Sequence, residues 1–174
     1  MTAKVLIVLG SDSDLPTARM CLKALDDFGV EYDIRVCSAH RTPAAAHELA
    51  SQAADLGFKV VIAMAGAAAH LAGVFAASTT LPVIGVPIES GALRGVDALY
   101  STVQMPGGIP VACMAIGEAG ARNAGVFAVQ ILAASDASLT KKLVAHKDRL
   151  AAEVAKKNAG LPARLRALET DSTK

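Results

Sequence analysis

Short apolar runs alternate along the first two thirds of the chain with longer segments that have helical periodicity. In the first such segment Leu22, Leu25 and Phe28 recur every three or four residues. Gly29 follows, in the position where a glycine commonly ends a helix. The apolar runs are short and rich in β-branched residues, which is typical of strands. The pattern predicts strands at 4–9, 32–37, 59–64, 82–87 and 109–114, with helices ending near 28, 56, 77 and 104.

Strands that alternate with helices at this spacing need crossover connections, and such connections produce a parallel sheet. Most of the predicted strands are continuous apolar runs, so we expect helices on both faces of the sheet. The pattern therefore predicts a doubly wound α/β sandwich of about five parallel strands. No low-complexity segment or linker divides the chain, and we interpret residues 1–174 as a single domain with its core at about 4–134.

The residues after the fifth predicted strand depart from this alternation. Positions 117–134 are almost wholly small or apolar, and the polar exceptions are Glu118, Arg122, Asn123 and Gln130. A helix that is apolar on all sides has to be buried on all sides. Because one small sheet cannot enclose such a helix, we expect other subunits to cover it.

A further helix is predicted at about 138–158, as a C-terminal extension within residues 135–174. Its apolar residues form a narrow stripe, namely Leu139, Leu143, Leu150 and Val154. Such a stripe fits docking on a neighbouring subunit and fits packing on its own sheet equally well. Gly160-Leu161-Pro162 is predicted to end this helix, and residues 163–174 are expected to be loose.

Composition and charge argue against several kinds of partner. The formal net charge is +1, which disfavours nucleic acid and anionic membranes. No apolar run reaches the roughly 20 residues of a membrane span, and no signal segment is expected before the first strand.

The 3 cysteines form no C-x-x-C pair and are interpreted as reduced thiols of a cytoplasmic protein. The apolar fraction of 53% with only 3% aromatics indicates either large subunit interfaces or an alanine-rich genome.

The first loop carries candidate phosphate ligands, because ligands of open α/β sheets bind where the carboxyl ends of the strands meet. Ser11 and Ser13 place two hydroxyls just before a helix, and the N-terminal amides of that helix also attract phosphate. Asp14 is a candidate acceptor for a ribose hydroxyl. A structural alternative stays open, since Ser13 or Asp14 could simply cap the helix.

The second loop carries stronger candidates. Ser38-Ala39-His40-Arg41-Thr42-Pro43 puts two hydroxyls, an imidazole and a guanidinium into one turn. Pro43 suits the first position of a helix, which leaves Thr42 as the N-cap. His40 and Arg41 then have no evident structural task, so we interpret both as functional. Arg41 can hold a phosphate through two parallel hydrogen bonds.

The third loop, 66–73, is rich in glycine and alanine, which lets backbone amides approach a ligand closely. Its His70 can contact that ligand or bond the backbone of its own loop. Histidine, cysteine and acidic residues do not recur at ligand spacing, so no metal is expected. The chain also lacks a Walker sequence and a G-x-G-x-x-G sequence, which disfavours ATP and dinucleotides. We therefore expect no cofactor.

Five sequence signatures follow one another along the chain. They are Gly10-Ser11-Asp12-Ser13-Asp14, Ser38-Ala39-His40-Arg41-Thr42-Pro43, Ala68-Ala69-His70-Leu71, Val83-Ile84-Gly85-Val86-Pro87 and Val103-Gln104-Met105-Pro106-Gly107-Gly108-Ile109-Pro110-Val111. In this order they resemble the N5-carboxyaminoimidazole ribonucleotide mutase family of de novo purine synthesis. The resemblance covers residues 5–134.

The resemblance implies a flavodoxin-like three-layer αβα sandwich, assembled as a homo-octamer with active sites at subunit contacts. It implies an isomerase of IMP biosynthesis, which moves a carboxylate on a ribonucleotide from an exocyclic nitrogen to the adjacent ring carbon without metal, ATP or biotin. His40 matches the catalytic histidine of the family. The positions expected to bind substrate are Ser11, Ser13, Asp14, Ser38, Arg41, Gly66, Ala68, His70 and Leu71.

Two positions depart from the family pattern, since Ala67 and Ala72 stand where glycine and proline are common. If position 67 needs a positive φ, alanine costs about 1 kcal/mol there. Two other functions stay open: a carboxylase of the same fold that uses free CO₂, and a non-enzymatic flavodoxin-like nucleotide-binding module. A flavin is disfavoured because the chain has no tryptophan and only 2 tyrosines to stack on it.

Overall fold

The chain alternates strands and helices as far as its fifth helix. A computed structural model describes the backbone of residues 4–171 and the side chains of residues 4–165. The strands are β1 (Val5–Leu9), β2 (Tyr32–Val36), β3 (Val60–Gly66), β4 (Val83–Ile88) and β5 (Ala112–Cys113). The helices are α1 (Leu15–Phe28), α2 (Pro43–Gln52), α3 (Leu71–Ser78), α4 (Val96–Val103), α5 (Glu118–Ala133) and α6 (Ala137–Asp171), and a 3₁₀ turn, Asp12–Asp14, precedes α1.

The strands form one parallel sheet in the order β2-β1-β3-β4-β5. This is the strand order of flavodoxin-like folds, so the predicted fold class is confirmed. The chain winds from β1 to β2 in one direction and from β2 back past β1 to β3 in the other. The crevice at this reversal, outside the carboxyl ends of β1 and β3, is where such folds bind ligands.

Helices cover both faces of the sheet because the central strands are apolar on both sides. Residues of β1 are at most 1% exposed. On one face, Leu6 and Val8 belong to a buried cluster with Leu49 of α2 and Phe75 of α3. On the other face, Gly125 lets α5 approach α1 closely, since a Cβ on it would lie only 2.9 Å from the Cβ of Ala24. Burial of both faces holds the strand ends, and the loops that leave them, in fixed positions.

The fifth strand is shorter than predicted. It comprises Ala112–Cys113, whereas the pattern predicts 109–114. Pro110 offers no N–H for a ladder bond, and β5 is an edge strand that pairs only with β4 among the described strands. The strand is therefore placed correctly, but its predicted range is wrong.

Helix α5 confirms the helix predicted at 117–134. The side that this chain buries is made mostly of small residues: Gly120, Ala121, Ala124, Gly125, Ala128 and Val129. Val126, Phe127 and Ile131 are only partly buried. The expectation that other subunits cover the rest of this helix stays a prediction.

Helix α6 begins where predicted but is longer. Its start is fixed by the Asp136 carboxylate, which accepts hydrogen bonds from the Ser138 hydroxyl (2.6 Å), the Ser138 N–H (2.8 Å) and the Leu139 N–H (3.3 Å). The bond from the Ser138 hydroxyl and those from the two N–H groups hold the pKa of Asp136 below its ordinary value. The helix N-terminus is therefore capped by a charged group, as helices favour.

The prediction that Gly160-Leu161-Pro162 ends this helix is wrong. Helix α6 continues to Asp171 with Pro162 inside it, so residues 163–171, expected to be loose, are helical. Residues 159–165 are exposed, and water can therefore bond the carbonyl that Pro162 leaves without a donor. The neighbouring alanine, leucine and arginine residues favour a helix. The rest of the predicted loose tail, 172–174, lies outside the described residues.

Backbone contacts divide the chain into two compact units, Met1–Leu132 and Ala133–Lys174. The interpretation of the whole chain as a single domain stays a prediction. Among the helices that the structure describes, none is long and apolar enough to cross a membrane.

Candidate active site

Loops at the carboxyl ends of β1, β2, β3 and β4 surround a cleft of about 310 Å³. The cleft lies at the reversal point between β1 and β3, where the fold places ligands. Most of the predicted site residues line it: Ser11, Ser13, Asp14, Ser38, His40, Arg41, Gly66, Ala68 and Leu71. The remaining one, His70, is joined to the cleft by a hydrogen bond to His40.

The loop after β1 brings two serine hydroxyls together. The Oγ atoms of Ser11 and Ser13 are 2.9 Å apart, and the Ser11 hydroxyl accepts a hydrogen bond from the Ser13 N–H. Ser11 caps the 3₁₀ turn, while the Asp14 carboxylate accepts a bond from the Ser11 N–H at 2.9 Å. The structural alternative is met in part: Asp14 occupies the N-cap position of α1, but its side chain makes no hydrogen bond to that helix and instead accepts the Ser11 N–H.

Asp14 is a buried carboxyl group at the floor of this loop. It is 7% exposed. Burial raises its pKa above the ordinary carboxyl value, the Ser11 N–H bond opposes that rise, and the nearby Asp12 charge adds to it. The folded chain therefore holds this proton more tightly than the unfolded chain does. The resulting stability is fully present below the ordinary pKa and is lost as the pH rises through the raised one.

Asp14→Asn is accordingly expected to raise the free energy of unfolding at neutral pH. The amide has no charge to desolvate, and its oxygen can still accept the Ser11 N–H bond. The gain should shrink towards about pH 4, close to the ordinary carboxyl pKa, where Asp14 itself is increasingly protonated. Urea unfolding of both proteins at the two pH values measures the difference. A variant that is less stable than the parent at neutral pH would contradict this account of Asp14.

The loop after β2 is held by Thr42 and Ser38. The Thr42 hydroxyl donates to the Ser38 carbonyl at 2.8 Å, and it accepts from the Ser38 N–H at 3.2 Å. Thr42 is the N-cap of α2 and Pro43 its first residue, as predicted, although Thr42 uses its side chain within the loop. The Ser38 hydroxyl accepts a bond from the Arg41 N–H, which leaves its own hydrogen able to donate to a ligand. His40 and Arg41 are exposed at the tip of this rigid turn.

A hydrogen bond joins the two histidines of the site. His40 Nε2 and His70 Nδ1 are 2.9 Å apart, and the rings meet edge to face with centroids 5.0 Å apart. His70 is the N-cap residue of α3 and makes no side-chain bond to that helix. The sequence left two possibilities open for His70: contact with the ligand, or a bond from its side chain to the backbone of its own loop. The second is not observed, because the His70 ring bonds His40 instead.

The loop after β3 contains a backbone conformation that favours glycine. Ala67 has a φ of 53°, which meets the condition under which alanine costs about 1 kcal/mol. The loop is closed by short bonds from the Ala69 N–H to the Ala67 carbonyl and from the His70 N–H to the Ala68 carbonyl. Ala72, the other departure from the family pattern, is buried at 3% exposure.

The cleft is also lined by residues that were not among the predicted substrate-binding positions: Gly10, Ala39, Ala65, Ala67 and Ser90. Ser90 is the only residue among these five with a polar side chain, a hydroxyl, and it lies two residues after the end of β4. It stands so close to Gly66 that a Cβ there would lie 2.8 Å from the Ser90 Oγ. Its place at the carboxyl end of a central strand is the signal that could have found it. Among the described residues, no group of three histidine, cysteine or acidic side chains is placed to hold a metal ion.

Comparison with known proteins assigns the chain to a family. Residues 4–153 match the family model described as AIR carboxylase. The chain belongs to the AIR carboxylase family. Its resemblance to enzymes of this kind, inferred above from five sequence signatures, is thereby confirmed.

Relatives in the AIR carboxylase family are similar over most of their length. The N5-carboxyaminoimidazole ribonucleotide mutase of Vibrio vulnificus is 56% identical over 144 residues, which are 83% of this chain and 89% of that protein. The mutase of the same name from Mycobacterium tuberculosis is 51% identical over 158 residues, which are 91% of this chain and 90% of that protein. The crystal structure of Treponema denticola PurE superimposes with a TM-score of 0.82 at 28% identity, over 91% of this chain and 98% of that one. The family fold is thus shared almost completely.

Proposed function

We propose that the protein is an N5-carboxyaminoimidazole ribonucleotide mutase of purine (IMP) biosynthesis, an isomerase. It converts the carbamate N5-carboxyaminoimidazole ribonucleotide into 4-carboxy-5-aminoimidazole ribonucleotide. The observation that carries the proposal is the placing of His40, Arg41 and two serine hydroxyls around one cleft in a chain whose relatives bear this name. The cleft volume of about 310 Å³ is at the lower end of the range for small-ligand sites, which suits a mononucleotide.

Phosphate binding is proposed for the two loops after β1 and β2. The Ser11, Ser13 and Ser38 hydroxyls can donate to phosphate oxygens, and Arg41 can add a charged, bidentate contact. Asp14 is proposed to accept a bond from a ribose hydroxyl. The base would then lie against the third loop, where Gly66, Ala68 and Leu71 line the cleft and His70 is hydrogen-bonded to His40.

His40 is proposed to carry the proton transfers. It donates a proton to the exocyclic nitrogen of the carbamate, the bond from that nitrogen to the carboxylate carbon breaks, and CO₂ is released next to the electron-rich ring carbon. That carbon attacks the CO₂ to form the new bond, and its own proton returns to His40. An imidazole suits both steps because it gives and takes protons near neutral pH. Retention of the CO₂ in the cleft supplies the rate advantage of an intramolecular reaction.

A carboxylase that uses free CO₂ is the second candidate, because the matching family model is described as AIR carboxylase. The two functions differ in substrate. A mutase consumes the carbamate without added bicarbonate or ATP, whereas a carboxylase consumes aminoimidazole ribonucleotide together with free CO₂, which added bicarbonate supplies. Assays of the purified protein with each substrate separately decide between them. Consumption of neither substrate would remove both candidates.

We also propose that the protein assembles, as an octamer, in the cytoplasm. Apolar side chains on the surface support assembly: Val96, Tyr100 and Val103 follow one face of α4, and each is at least 44% exposed. Phe127 and Ile131 of α5 line a largely apolar cleft of about 590 Å³ near the start of β4. The free cysteines Cys21, Cys37 and Cys113 are consistent with a reducing compartment.

Assembly predicts a solution mass several times the 17.7 kDa of one chain. Light scattering at micromolar concentration measures it. Tyr100→Glu should lower the mass, because a charge would be buried in the contact, whereas Tyr100→Phe should leave it unchanged. A stable, folded monomer in the parent protein would contradict the proposal.

A further inference from the structure

The contact between His40 and His70 restricts the protons that the two rings can carry. A hydrogen bond between ring nitrogens needs one N–H donor and one bare acceptor. Two imidazolium rings would both be donors, so the bond of 2.9 Å between His40 Nε2 and His70 Nδ1 exists only while at least one ring is neutral. The two rings therefore hold their protons as a pair.

The position of His70 in the fold indicates which ring accepts the hydrogen bond between His40 and His70. His70 is the N-cap residue of α3, where the positive end of the helix dipole disfavours an imidazolium. We therefore assign His70 as the acceptor at Nδ1, with its own hydrogen on Nε2, and His40 as the donor at Nε2. Among the described residues, His40 Nδ1 has no hydrogen-bond partner, so this nitrogen is the one left for chemistry.

We propose that His70 is a positioning residue that fixes the tautomer of His40 and confines proton exchange to His40 Nδ1. This inference rests on the proposed function. His40 starts as an imidazolium whose Nε2–H donates to His70. It gives the Nδ1 proton to the substrate nitrogen, stays neutral as the Nε2–H tautomer, and recovers a proton at Nδ1 from the ring carbon.

The role is similar to that of the acid that orients the histidine of a catalytic triad, except that the acceptor here is neutral. Substrate that fills the cleft would shield both exposed rings from water and so strengthen the bond between them. The pair therefore fixes the direction of proton transfer when substrate is present.

Two substitutions of His70 separate this role from a merely steric one. The side-chain oxygen of asparagine takes roughly the place of Nδ1 and can accept the bond from His40, whereas leucine fills the space without an acceptor. His70→Leu is expected to lower kcat at least about 10- to 100-fold with little change in KM, by analogy with the loss that follows removal of the partner that orients a metal-binding histidine. His70→Asn should recover most of that loss. His47→Asn, which removes a histidine bonded to Ser78 outside the cleft, is the matched control and should leave kcat unchanged.

Nitrogen-15 solid-state NMR of histidine-labelled protein gives a readout that does not depend on turnover. The His40 signals are identified by their loss in His40→Asn. We expect the Nε2–H tautomer for neutral His40 in the parent and in His70→Asn, and a mixture of tautomers in His70→Leu. Equal kcat in the two His70 variants, or a His40 tautomer that His70→Leu does not change, would overturn the inference. Failure of the parent protein to convert the carbamate would instead overturn the proposed function.

Discussion

Replacement of His40 by asparagine is expected to reduce turnover of the carbamate by about 10²- to 10⁴-fold, the usual contribution of general acid–base catalysis. Asparagine has a similar size and keeps some hydrogen-bonding ability, but it has no nitrogen that titrates. His40 is exposed and lies outside the buried core, so folding should survive the change. Single-turnover kinetics measure the chemical step, and a separate titration of nucleotide binding shows whether affinity is retained.

The comparison with His70→Asn makes this test specific. Both variants remove one ring of the same hydrogen-bonded pair, yet only the His40 variant removes the group proposed to exchange protons with substrate. The loss should therefore be much larger in His40→Asn. Near-normal turnover in that variant, or a larger loss in His70→Asn, would show that the wrong histidine has been assigned.

Arg41→Ala is expected to weaken nucleotide binding by about 1.5–3 kcal/mol, the worth of a charge-assisted hydrogen bond. This corresponds to a roughly 10- to 160-fold higher Kd. Arg41 is exposed in the cleft and forms no ion pair with a carboxylate among the described residues. Its removal should therefore leave no unpaired charge in the protein, and the measured change in affinity should come from the lost contact with the nucleotide. Isothermal titration with the product nucleotide measures it.

Arg35→Ala is a suitable control for Arg41→Ala. Arg35 lies on β2, six positions earlier, and its guanidinium is paired with the Asp33 carboxylate at 2.7 Å. Loss of this exposed pair should change stability little and should leave nucleotide affinity as it is. Equal affinities in the parent and in Arg41→Ala would remove Arg41 from the phosphate site.

The central part of the fold could be predicted because its strands are buried on both faces. Strands β1, β3 and β4 therefore appear in the sequence as continuous apolar runs between glycine-rich loops. Strand β5 could not be delimited in the same way, since it is a two-residue edge strand with a proline close before it. The end of α6 was misjudged because a proline makes a helix less stable without always ending it, and water can bond the carbonyl that Pro162 frees in this exposed helix.

Residues of the candidate site could be predicted from the sequence only where several functional side chains occur together in one turn. His40 and Arg41 stand out because a turn rarely needs an imidazole and a guanidinium side by side. The bond between His40 and His70 joins loops 30 residues apart, and it depends on β1 lying between β2 and β3. Local patterns contain no information on that order. Ser90 was missed for a similar reason, because a single serine after a strand is not distinctive until the cleft is formed.

The central claim is that the carboxylate moves within one cleft of this protein without entering solution. The most direct test is a single-turnover reaction of carbamate labelled with carbon-13 in its carboxylate, in the presence of excess unlabelled bicarbonate and without ATP. Mass spectrometry of the product then reports the origin of the new carboxylate. The proposed mutase predicts that the product keeps the label. An unlabelled product would show that the carboxylate comes from free CO₂, and it would contradict the account.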